Sequence, residues 1–69
     1  MPDKMFIEAF EGDKGRAEVY EVVHLDALGI EKVAYEVLFQ QERHEVLSMG
    51  EASILASDLA GDSRFNRAH

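Results

Sequence analysis

Cysteine is absent from this chain, so neither a disulfide nor a thiolate metal site can hold it together. Tryptophan is also missing, and no apolar run approaches the ~20 residues that a membrane-crossing helix requires. Basic side chains are scarce: seven lysines and arginines face fourteen aspartates and glutamates, giving −7 with neutral histidines. Nucleic-acid binding draws its affinity from neutralising phosphates, so a body this acidic is not expected to bind nucleic acid. The opening "MPDKMF" carries charge with no apolar stretch behind it, which gives the expectation of a cytoplasmic protein without a signal peptide or membrane contact.

What remains is a 69-residue chain that is 46% apolar, too rich in apolar residues for disorder and short enough for one domain only. A chain of this size buries only about 60% of the surface its unfolded form exposes. Without disulfides or a thiolate-held metal, its stability must come from an efficient core or from partner subunits.

Turn signals divide the sequence. "KMFIEAFE" (4–11) leads into the glycine-bounded "GDKG" (12–15), and valine-rich residues 16–25 follow, ending before "ALGIEK" (27–32). "VAYEVLFQ" (33–40) and residues 43–47 flank a polar Gln41-Glu42 pair. Residues 49–60 then read as a helix. Ser48 is placed as N-cap, Glu51 as its capping-box partner, and Gly61 as the left-handed terminator. Met49, Ala52, Leu55, Ala56 and Leu59 form its apolar stripe, with Ile54 on the opposite side.

The expected fold is therefore α+β: an antiparallel meander of three to four strands (4–11, 16–25, 33–40, 43–47) with one C-terminal helix packed on one face. The alternative is an all-α three-helix protein, because Val33, Ala34, Val37, Leu38 and Gln41 also fit a helical period and no glycine or proline interrupts 31–49. Residues 1–61 form the single domain and 62–69 a flexible C-terminal tail.

A Tyr-Glu-Val echo at 20–22 and 35–37 suggests that the strands repeat one pattern. Alternation then predicts one face carrying Phe6, Glu8, Phe10, Val19, Glu21, Ala34, Glu36 and Leu38, and a second carrying Tyr20 and Tyr35. With the helix on the tyrosine face, Phe6, Phe10 and Leu38, joined by Ile54, become the expected interface to a second copy.

Glu8, Glu21 and Glu36 are the sharpest chemical candidates, since clustered carboxylates raise one another's pKa and can hold a hard cation. Solvation or pairing with Lys4, Arg16 or Lys32 is the plainer expectation. His24 with Asp26 has the spacing of a carboxylate-oriented histidine, but no nucleophile motif accompanies it, and His44 and His69 are scattered. Arg64, Phe65 and Arg67 in "SRFNRAH" suit a short contact with an acidic or aromatic partner. No catalytic residue, cofactor or metal site is assigned. The function expected is a non-enzymatic interaction or assembly domain that homodimerises through its sheet; the alternative is an acidic mimic that blocks a basic surface on another protein.

Overall fold

The computed structural model describes residues 3–61. Four antiparallel strands, β1 (Asp3–Gly12), β2 (Gly15–Leu25), β3 (Glu31–Phe39) and β4 (Glu42–Val46), form a meander in sequence order, and α1 (Met49–Ala60) follows. The α+β expectation holds, and the all-α alternative does not. Residues 31–46 are a hairpin whose strands join through Gln40-Gln41, with Gln40 at φ 57°. The β-branched and aromatic side chains there find a pleated surface to pack on, which outweighs their partial helical spacing. The expectation for 62–69 lies outside the described residues.

Ser48 caps α1 as its sequence requires: its Oγ accepts from the Glu51 amide at 3.1 Å. At the other end Gly61 takes φ 78°, and its amide donates to the Ser57 carbonyl at 2.9 Å. The buried stripe of the helix is small-sided: Ala52, Ala56, Ser57 and Ala60 face the sheet, with Met49, Leu55 and Leu59 packing at the flanks. Without large side chains in between, α1 lies close to the strands.

Register decides what α1 covers. Val19 pairs with Val37 and Ala17 with Phe39, while Phe10 pairs with Ala17 and Glu8 with Val19. Partners in an antiparallel pair share a face, so Phe10, Ala17, Val19 and Val37 meet the helix and form the core. This corrects the expected faces twice. Tyr20 pairs with Glu36 and Tyr35 with Glu21, which places the two tyrosines on opposite sides of the sheet. A bulge at Ile7, which has no partner across β1–β2, then reverses the alternation within β1. One extra residue flips every side chain beyond it. Phe6 consequently lies on the outer face, whereas Glu8 and Phe10 lie on the helix face.

The helix is shorter than the surface it packs on. Twelve residues of helix span about 18 Å, and the eleven residues of β2 span about 36 Å. Residues Ala60 and Gly61 abut the β1–β2 turn, where the Lys14 amide donates to the Ala60 carbonyl at 2.9 Å. The opposite end of the sheet is therefore left without a helix.

Candidate functional site

On the outer face, charge rather than apolar area dominates. Glu36 sits mid-sheet with only 6% of its surface exposed. Lys4 from β1 approaches one of its oxygens at 2.9 Å, and Arg43 from β4 donates to the other at 2.8 Å. Lys4 also stands 4.9 Å from the Tyr20 ring centroid, and Phe6 meets that ring edge-on at 5.6 Å. Nearer the β1–β2 turn, Arg16 donates to Glu11 at 2.7 Å and to Glu18 at 3.1 Å, and the Tyr20 hydroxyl donates to Glu18. Long polar side chains thus lie across Val22 and Ala34, which are buried without a covering helix.

Burial pushes the Glu36 carboxyl upward, but Lys4 and Arg43 together outweigh it and hold the group below its ordinary 4.5. A carboxyl with a depressed folded-state pKa contributes stability above its unfolded value and loses it as pH falls through the folded one. Glu36→Gln is therefore expected to cost about 1–3 kcal/mol near neutrality and almost nothing once the pH lies below both values. Urea denaturation of the two chains at pH 7 and pH 3 measures this.

The three candidate glutamates do not meet. Glu36 is on the outer face, while Glu8 and Glu21 are on the helix face, where Glu8 accepts from the Ser53 hydroxyl at 3.3 Å. Among the described residues, no three histidine or acidic side chains converge as metal ligands, and no cavity is enclosed. His24 is exposed, and Asp26 instead closes the β2–β3 loop, accepting from the amides of Leu28 and Ile30. Phe10, expected at an interface, is 1% exposed and belongs to the core. Phe6 and Leu38 are on the outer face, half-exposed and half-buried, and Ile54 protrudes alone from the outer side of α1. No helix among the described residues is long and apolar enough to cross a membrane.

Sequence reasoning missed the helix-free end. Met5, Val23, Leu25 and Val33 share the helix face beyond the reach of α1, with Met5 57%, Leu25 64% and Val33 46% exposed. Ile7, Leu28 and Ile30 are exposed around the same end. Asp3, Glu21 and Glu31 stand on that face too, and no ion pair reaches any of them among the described residues. The signal was available in the mismatch between a twelve-residue helix and nine- to eleven-residue strands. Comparison with family models, curated proteins and solved structures finds no match for this chain.

Proposed function

We propose that this chain is a non-enzymatic assembly domain that self-associates through the helix-free end of its sheet. One observation carries the reading: the apolar layer that α1 seals over Phe10, Val19 and Val37 continues into Met5, Val23, Leu25 and Val33 with nothing above it. Met5, Ile7, Leu25, Leu28, Ile30 and Val33 expose on the order of 600 Å² together, close to the roughly 800 Å² each partner gives to a stable interface. The outer face is a weaker contact surface, because its charges already satisfy one another across four strands.

Val33→Asp tests this directly. The side chain is nearly half exposed, so the monomer should lose little stability, while self-association measured by sedimentation equilibrium should weaken at least about ten-fold. An unchanged association constant would remove the surface from consideration.

A second reading, the acidic mimic, rests on the unpaired Asp3, Glu21 and Glu31. It requires a chain that is monomeric alone and that binds a basic protein with an affinity that falls as salt is added.

A further inference from the structure

Two identical copies of the helix-free end would bring Asp3, Glu21 and Glu31 against the same three acids, so an apolar contact there needs cations at its rim. Residues 3–61 do not offer them: four of their five lysines and arginines are engaged on the outer face or at the β2–β3 loop. The charge of the remaining chain is complementary. Residues up to Gly61 hold thirteen acids against five bases, whereas 62–69 hold one acid and two arginines, Arg64 and Arg67, on either side of Phe65.

We infer that residues 62–69 of one copy dock on the helix-free end of a second copy. Phe65 covers Met5, Val23 and Val33, and Arg64 and Arg67 pair with Asp3, Glu21 and Glu31. This deepens the self-association reading and rests on it.

The geometry requires the exchange to be between copies. Gly61 abuts the β1–β2 turn, so closely that a Cβ on Gly12 would lie 2.5 Å from the Gly61 carbonyl group. From Gly12 back to Met5 is seven residues of strand, about 23 Å. Four residues separate Gly61 from Phe65, which reach at most about 14 Å when fully extended. Phe65 therefore falls short of its own copy's Met5, whereas a two-fold partner placed head to tail can present it. Reciprocal docking of this kind satisfies both copies at once, as an isologous interface must.

Charge reversal tests the arrangement in the full chain. One variant carries Arg64→Glu and Arg67→Glu; the other carries Glu21→Lys and Glu31→Lys. Each alone should self-associate at least about ten-fold more weakly than the parent, since like charges then face one another. Mixed in equal amounts they should recover association to within about three-fold of the parent, because each reversed tail meets a reversed sheet and each native tail a native one. Phe65→Ala should weaken the parent's association by about ten-fold. Parental affinity in the tail-reversed and Phe65→Ala chains, with Val33→Asp still disruptive, would overturn the tail's role and leave self-association through the sheet standing. A parent chain that is monomeric at high micromolar concentration would overturn both.

Discussion

Phe10→Ala is expected to leave the chain largely unfolded at room temperature. Phe10 is the largest fully buried side chain and packs in the core with Ala17, Val19, Val37 and the alanines of α1. Truncating a buried phenylalanine costs about 3–5 kcal/mol, and a domain of this length holds roughly 3–10 kcal/mol in all. Small neighbours make collapse of the cavity difficult, since the alanines have no side chain to swing into it. The comparison with Phe6→Ala is informative. Phe6 lies four residues earlier on the other side of the Ile7 bulge, half exposed and touching the Tyr20 ring edge-on. Its loss is expected to cost about 1 kcal/mol. Urea denaturation at two protein concentrations separates the account from one in which Phe10 contacts a second copy. A core role gives the same loss at both concentrations, and an interface role gives a loss that grows with concentration.

The second large effect is at Gly12. A Cβ built there would lie 2.5 Å from the Ala60 carbonyl oxygen and from backbone atoms of Gly61. Backbone cannot rotate away as a side-chain tip can, so Gly12→Ala must push the β1–β2 turn off the end of α1. The expected cost is about 2–4 kcal/mol, at the upper end of what overpacking exacts. Loss of the Lys14 amide bond to the Ala60 carbonyl contributes to it. Gly50→Ala is the control. It is the same change in the first turn of α1 with nothing within 4 Å of the new methyl, and it should stabilise the helix by about 0.5–1 kcal/mol. Thermal melts of the two variants should therefore move in opposite directions.

The elements were legible in the sequence because their signals are local. Ser48 and Gly61 bound α1 where cap chemistry places them, and "GDKG" closes β1 on β2 as a tight turn. Which face each strand presents was not legible, because this depends on register, and register depends on loop lengths and on a bulge that no residue type announces. The Tyr-Glu-Val echo misled for that reason: identical triplets at 20–22 and 35–37 meet in antiparallel register with Tyr opposite Glu, so the repeat puts its tyrosines on opposite faces. The same shift separated Glu36 from Glu8 and Glu21 and dissolved the carboxylate cluster. The buried position of Glu36 depends on Lys4 and Arg43, which come from the two edge strands and are far from it in sequence.

The account stands on the helix-free end of the sheet being the surface through which copies of this chain meet. Amide NMR shifts followed while the full chain is diluted from millimolar to low micromolar concentration test it most directly. Concentration-dependent shifts gathered at Asp3, Met5, Glu21, Val23, Leu25, Glu31 and Val33, with Arg16, Glu18, Glu36 and Arg43 unmoved, are the predicted result. A spectrum that does not change with dilution, or one that changes on the outer face instead, would contradict it.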